Sequence, residues 1–487
     1  MKTQLTCKTR NLTSIAKALR HPRTPRRSGP ARSRCRNTEV WGWGACALSA
    51  LGLGLFTTLP AHRTWGLVAA AGYGCAMLAE ARRARGRDTA RAPADTSQLP
   101  LILALTGSVV LPLLMLVLAG RAQLEVTVVE RSGDLLLHSG SPYIPAPTTV
   151  DGYNPYLPGM AVFGLPHALF GNGPLTDARW WMAGTFFAST GGAITTLVRR
   201  RQAVPRRGPD LHAVPRHDST PVVCWLAVCP LVALPLAVGG IDLPVIGLMC
   251  WGLATAGRGK PGSVGLLLGL AAALKWTAWP AVPVALALMT ARRGRRQAIT
   301  CGAIAMLTTA TAVLPFALTA PGAFAENVLA FPMGLGMTAS PAESPLPGRL
   351  LAAYVPDGTL IAMGLLAVAA LGIVASLLIR PPQTVPAAAD RLALGLALAM
   401  ALMPATRFGY LVYPLVLWAW PRLTSASLRR HAANRCRVPT AFPANTVRRT
   451  RTGSCERHLR GSLHTMDGSD GPDRKRAKPD IRQEAAP

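Results

Sequence analysis

Two cations lie where charge is least expected. Lys275 and Arg407 each sit inside an apolar run, and a charge at membrane depth costs about 3 kcal/mol or more unless it is paired or faces water. Intramembrane cations suggest an anionic ligand. The other readings are snorkelling to an interface, or a structural pair with an acid such as Asp242. A different chemistry is offered by Leu124-Glu125-Val126-Thr127-Val128-Val129-Glu130, which follows an apolar run almost directly. A carboxylate at the mouth of a membrane span can act as a general base toward a hydroxyl. Glu125 and Glu130 are the candidates, the bland reading being solvated charges that pair with Arg121 and Arg131. Downstream, Ser141-Pro142-Tyr143 and Tyr153-Asn154-Pro155-Tyr156-Leu157-Pro158-Gly159-Met160 precede an apolar stretch, 160–170, too short to span. Tyr favours the headgroup zone and Pro breaks helices, so this element reads as an aromatic anchor beside a re-entrant turn or as a binding element.

Other chemistries find little support. No Cys-x-x-Cys or His-x-x-x-His pair is present, no metal site is expected, and Cys224 with Cys229 reads as packing. No Gly-rich phosphate loop occurs, so neither a nucleotide nor another cofactor is implied. The net charge of +30 would fit nucleic acid, but the basic residues lie in the tails and between apolar runs and do not interleave with aromatics. Nucleic-acid binding is not expected.

The elements that must position these residues are membrane helices. The 487 residues are 50% hydrophobic and 15% charged, and the apolar residues form runs of roughly 14 to 22, the length at which a helix crosses the hydrocarbon layer. The expected fold is all-α, a polytopic integral membrane bundle with about 10–12 membrane segments. Residues 1–40 carry eleven Lys or Arg against Glu39 alone and read as a basic, disordered cytoplasmic arm. Residues 41–98 read as two additional membrane helices and a basic loop, 99–420 as the main membrane domain, and 421–487 as a basic, disordered cytoplasmic tail.

Basic loops stay on the cytoplasmic side, and this rule sets the topology. The long connection 121–177 is acidic and external, as is 319–357, and both termini are cytoplasmic. A span is expected over 221–238. The apolar run 262–291 has basic residues at both ends, Arg258 and Lys260 before it and Arg292, Arg293, Arg295 and Arg296 after it. One helix of that length would reach about 45 Å, so a re-entrant pair broken near Lys275 to Pro280 is expected. Residues 391–420 form a last hairpin with Arg407 at its tip. None of the ten cysteines falls in an external loop, and no external disulfide is expected.

Taken in order, these pieces resemble the actinobacterial polyprenol-phosphate-mannose-dependent mannosyltransferases of the GT-C superfamily, glycosyltransferase family 87, also labelled a domain of unknown function. The resemblance covers about 100–420. Glu125, then Gly133 eight residues on and Tyr143 eighteen on, reproduces a family spacing, with Glu where relatives usually carry Asp. Tyr153 to Met160 stands where the family has a Tyr-Pro-Pro-like segment. Gly239 to Pro244 with Asp242, Gly265 to Pro280 with Lys275, and Pro404-Ala405-Thr406-Arg407-Phe408-Gly409-Tyr410 leading to Tyr413 are similar to later family pieces.

The resemblance implies a GT-C-like bundle in which the external connection 121–177 is the first catalytic loop. It also implies transfer of a hexose, most simply mannose, from a polyprenyl-phosphate donor to a hydroxyl of an external cell-envelope glycolipid or glycan. Glu125 or Glu130 would be the base, and Tyr143, Tyr153, Asn154, Tyr156, Asp242, Lys275, Arg407 and Tyr410 would bind substrate. The protein would sit in the plasma membrane among lipid, its active site facing outside. A secondary transporter or lipid flippase would also use broken helices with midplane charges, but no internal repeat is evident. A non-catalytic scaffold would leave the acids and cations without a role.

Overall fold

The computed structural model describes residues 30–86, 98–202, 220–333, 336, 338 and 342–435. Among these, regular structure is helical, apart from one isolated parallel β-bridge between Glu343 and Thr406. Five helices are long and apolar enough to cross a bilayer unaided: Thr38–Phe56, Leu99–Leu118, Arg295–Thr319, Gly358–Ile379 and Val385–Leu402. The remaining membrane segments expected from the sequence are more polar, bent or short. Pro60–Gly86 and Ala178–Gln202 are long but end in basic residues, whereas Asp242–Ala256 and Pro261–Leu274 are short.

The expected outer boundaries shift. The first helix starts at Pro30, inside the segment read as a disordered arm, and the last, Val412–Arg435, runs past the expected limit at 420. The rest of both tails, 1–29 and 436–487, and the basic connections 87–97 and 203–219 lie outside the described residues. Residues 41–86 are not an appendage. Trp65 donates its indole N–H to Ser108 O at 2.8 Å, and the Tyr73 hydroxyl donates to Val228 O at 2.6 Å.

Tyr73 marks a correction. Residues 221–238 do not form one straight span: helices Thr220–Ala227 and Pro230–Val238 meet at 83°. Pro230 disfavours helical geometry at the residue before it, and Cys229 is extended. The break leaves backbone groups without helical partners, which water cannot satisfy inside a membrane. Tyr73 supplies a donor for one of them.

The same constraint organises the centre. Asp242–Ala256 has thirteen of its fifteen residues buried and packs against Ala178–Gln202 and Pro261–Leu274. The run 262–291 breaks as expected, into helix Pro261–Leu274, a 3-10 turn Trp276–Ala278 and helix Ala281–Arg293, with Lys275 extended at the break. Arg293 Nη2 donates to Arg258 O at 3.2 Å. The run therefore leaves the bundle beside the point where it entered, which makes the two helices a re-entrant pair.

The connection 121–177 is more ordered than a loop. Leu124–Ser139 is a helix of 16 residues, and Pro158–Gly164 is a 3-10 helix leading into the short helix Leu165–Phe170. Gly133 and Gly164 let these two elements touch through their backbones. A Cβ on Gly164 would stand 2.2 Å from Val129 O. Gly164→Ala should therefore lower stability by about 1–3 kcal/mol through overpacking, read as a reduced melting temperature in detergent. An unchanged melting temperature would contradict this packing.

Candidate active site

Breaking the re-entrant pair at Lys275 frees backbone groups and places an ammonium inside the bundle. Both are matched by neighbours. Leu157 N donates to Leu274 O at 3.2 Å, so the Tyr-Pro segment seals the break. The Lys275 Nζ lies 2.5 Å from Asp242 Oδ1, and Asp242 stands in the first turn of its helix, where the dipole favours a negative group. The Tyr413 hydroxyl donates to the same oxygen at 2.8 Å and lies 2.8 Å from Thr277 Oγ1. The rings of Tyr410 and Tyr156 flank the ammonium, 4.9 and 5.6 Å from their centroids. Lys275 is buried, and its pairing with Asp242 realises the structural reading of that cation.

A second ion pair completes the cluster. Arg407 Nη1 bonds Glu125 Oε1, joining the first turn of helix Leu124–Ser139 to the connection before Val412–Arg435. Arg407 keeps about a third of its side chain exposed and Glu125 about a sixth. The buried Tyr156 lies within electrostatic range of Glu125, Asp242 and Arg407, and its ring is 5.6 Å from the Lys275 ammonium. Glu125, Tyr156, Asp242, Lys275, Arg407 and Tyr410 are thus brought together.

The remaining candidates stand apart from that group. The Tyr143 hydroxyl donates to Tyr156 O at 2.9 Å, and its ring meets Phe324 edge-on. Tyr153 stacks on Phe331 with centroids 4.1 Å apart and donates to Glu326 Oε1 at 2.9 Å. Asn154 receives Tyr156 N on Oδ1, donates Nδ2 to Pro142 O, and gives its backbone N–H to Asn327 Oδ1. The Tyr143 and Tyr153 side chains and the Asn154 backbone tie the Tyr-Pro segment to residues 323–331, and the Asn154 side chain braces the segment internally. They frame Tyr156.

Glu130 points to another neighbour than Glu125 does. Five residues beyond Glu125, it is turned about 140° around the helix axis, and its Oε1 accepts from Ala178 N at 3.1 Å. It satisfies a free N–H at the start of Ala178–Gln202. Beside it, the buried Arg179 grips Asp177 with Nε and Nη2 and donates Nη1 to Arg121 O and Ala237 O. Sequence reasoning missed Arg179 because a basic residue at the start of a span looks like a topology signal. It noted Tyr413 in the last family-like piece without placing it among the site residues, although Tyr413 follows Tyr410 by three residues and so faces the same way on a helical turn.

The helical bundle with its cluster of two ion pairs and tyrosines defines a polytopic membrane protein with a polar site. The sequence matches the profile of glycosyltransferase family 87 over residues 154–405, a little over half of the chain, and the protein belongs to that family. It is a membrane glycosyltransferase. The match takes in Tyr156, Asp242 and Lys275, whereas Glu125 precedes it and Arg407, Tyr410 and Tyr413 follow it. No curated protein and no solved structure matches the chain. Among the described residues no group of three or more His, Cys, Asp or Glu could hold a metal ion.

Glu125 and Glu130 should separate in experiment. Burial holds the Glu130 carboxyl above its ordinary 4.5, against the opposing bond from Ala178 N–H. A raised carboxyl value means that the unfolded chain ionises first, so this group's contribution to stability falls as pH rises from about that ordinary value through the folded one. Glu130→Gln keeps a side-chain acceptor and removes the buried charge. Its melting temperature at pH 7 should equal or exceed that of the wild type, with the gap closing below about pH 4.5. Glu130→Ala should cost about 1 kcal/mol as a lost cap. Activity per folded molecule should stay within about twofold in both, since neither removes a group from the charged cluster. A large loss of turnover in well-folded Glu130→Gln would return Glu130 to the catalytic group.

Proposed function

We propose that the protein transfers a hexose, with mannose the sugar implied by the family resemblance, from a polyprenyl-phosphate donor to a hydroxyl of a cell-envelope glycolipid or glycan. The reaction takes place at the outer face of the plasma membrane. The observation that carries this reading is the Glu125–Arg407 pair beside Lys275–Asp242: a carboxylate and an anion-binding cation in direct contact, partly exposed, within an apolar bundle.

The pair suits the reaction because its two halves have uses that coincide in time. The donor phosphate draws Arg407 into a charge-assisted contact, which releases the Glu125 carboxylate toward the acceptor. Glu125 takes the proton of the acceptor hydroxyl as that oxygen bonds the anomeric carbon. The bond from that carbon to the phosphate oxygen breaks, and its electron pair leaves on the polyprenyl phosphate. Protonation of Glu125 removes a negative charge beside Arg407 just as charge grows on the departing phosphate, so the guanidinium acts more strongly in the transition state than before it. Lys275, compensated by Asp242 and fixed between two rings, adds positive potential without having to move. Nothing in this sequence of events calls for a metal or a nucleotide.

Membranes carrying the protein, incubated with radiolabelled polyprenyl-phosphate mannose and an envelope lipid extract, should yield a new labelled lipid or glycan. Glu125→Gln should reduce transfer by ~10²-fold or more, the usual contribution of a general base, with protein level unchanged. Arg407→Ala should raise the donor KM and lower turnover, and Arg407→Lys should restore only part, since a point charge does not reproduce the planar fork. Full transfer by Glu125→Gln would refute this mechanism. Orientation has its own check: in intact cells Ser139→Cys should react with an impermeant thiol reagent and Gly294→Cys should not. The reverse pattern would place the site on the other face.

A further inference from the structure

Arg407 is not held by a helix. Residues 403–407 connect Val385–Leu402 to the 3-10 turn Phe408–Leu411, and Arg407 itself is extended, with φ −129° and ψ 142°. A long side chain on such a backbone would spread its guanidinium over many positions, each a loss in a site that must present it to one phosphate. The backbone on either side of Arg407 is, however, bonded to a distant segment of the chain. Thr406 N donates to Ala342 O at 2.9 Å, and Ser344 N donates to Thr406 O at 3.0 Å, giving the parallel bridge between Glu343 and Thr406. Phe408 N then donates to the Ser344 hydroxyl at 3.0 Å. Ser344 therefore grips the residue before Arg407 through its backbone and the residue after it through its side chain.

Two further contacts keep that grip in register. The buried Thr406 hydroxyl donates to Met400 O at 2.9 Å, anchoring the connection to the end of the preceding helix. Just beyond Ser344, the short helix Pro347–Tyr354 lies on the same helix end, where a Cβ on Gly348 would stand 2.1 Å from Leu402 O. The exposed Arg349–Glu343 pair, 2.9 Å apart, adds little at such a surface.

We infer that Ser344 is a positioning residue for Arg407, acting as a strap from the connection 319–357 across the anion-binding arm of the site. The inference rests on the reading of Arg407 as the ligand of the donor phosphate. The Ser344 hydroxyl accepts from Phe408 N, and its effect passes through that backbone. Removing it leaves an exposed N–H that water can satisfy, so the change bears on the order of the Arg407 backbone more than on the stability of the bundle.

The test uses the full chain in detergent, as wild type, Ser344→Ala and Ser344→Thr, the last keeping the hydroxyl. Amide exchange in peptides covering 404–410 should be about five- to tenfold faster in Ser344→Ala, the scale of one lost hydrogen bond, and near wild type in Ser344→Thr. With labelled polyprenyl-phosphate mannose, Ser344→Ala should raise the donor KM about three- to tenfold and lower kcat as well, since a less ordered Arg407 serves both the bound and the departing phosphate less well. Ser344→Thr should restore the KM. Unchanged exchange in Ser344→Ala overturns the strap. Faster exchange with an unchanged donor KM overturns its link to donor binding. Should the wild type transfer nothing from this donor, the proposed reaction fails, and the exchange arm still decides whether Ser344 holds Arg407.

Discussion

A membrane interior has no water with which to satisfy a backbone carbonyl or a charge, and the architecture around Lys275 follows from that constraint. The re-entrant helix must break, because thirty apolar residues with basic ends on one side cannot cross as one rod. The break frees Leu274 O, which draws Leu157 and the whole Tyr-Pro segment inward. It also turns the Lys275 ammonium into the bundle, which requires Asp242, Tyr413 and two flanking rings. Asp242 can be there only because the chain turns at Gly239-Gly240-Ile241 to begin the central helix beside it. The bend at Cys229 obeys the same rule, with Tyr73 as its partner.

The site is built from segments far apart in sequence, and each is fastened by contacts that do no chemistry. Helix Leu124–Ser139 presents Glu125 from its first turn. It is held at one end by Gln123 N bonding Val238 O, along its side by the Gly133–Gly164 contact, and through Glu130 to the start of Ala178–Gln202. Arg179 closes the assembly by tying Arg121 to Ala237. The Glu125–Arg407 pair can then stay partly exposed, whereas Lys275 and Asp242 are largely enclosed by the segments that these contacts hold.

The class of fold and much of the site were legible in the sequence for a reason. Long apolar runs and basic loops are read by the membrane itself, and a charge within an apolar run must have a partner or a ligand, so Lys275, Arg407, Asp242 and Glu125 stood out by type and position. The break at Lys275 to Pro280 was legible from length and charge. Other features depended on geometry that spacing does not reveal. The helical nature of 124–139 was hidden because its mixed polarity suits an interfacial helix as well as a loop. The bend at Cys229 lay in a run whose hydropathy is that of a straight span. Glu130 and Glu125 are alike in type, and only the helix phase separates a cap from a candidate base. Tyr143, Tyr153 and Asn154 were conspicuous as polar groups near the membrane, yet their partners in 323–331 lie more than 160 residues away. Ser344 had no local signal at all.

The central claim is that the Glu125–Arg407 pair opens to admit a lipid-linked sugar phosphate, with Arg407 transferring its contact from carboxylate to phosphate. A structure of the protein in lipid, determined with bound polyprenyl phosphate, tests this most directly. The phosphate is predicted to sit within hydrogen-bond distance of the Arg407 guanidinium, with Glu125 released and the Lys275–Asp242 pair retained. An intact Glu125–Arg407 bond with the phosphate bound elsewhere would contradict the account.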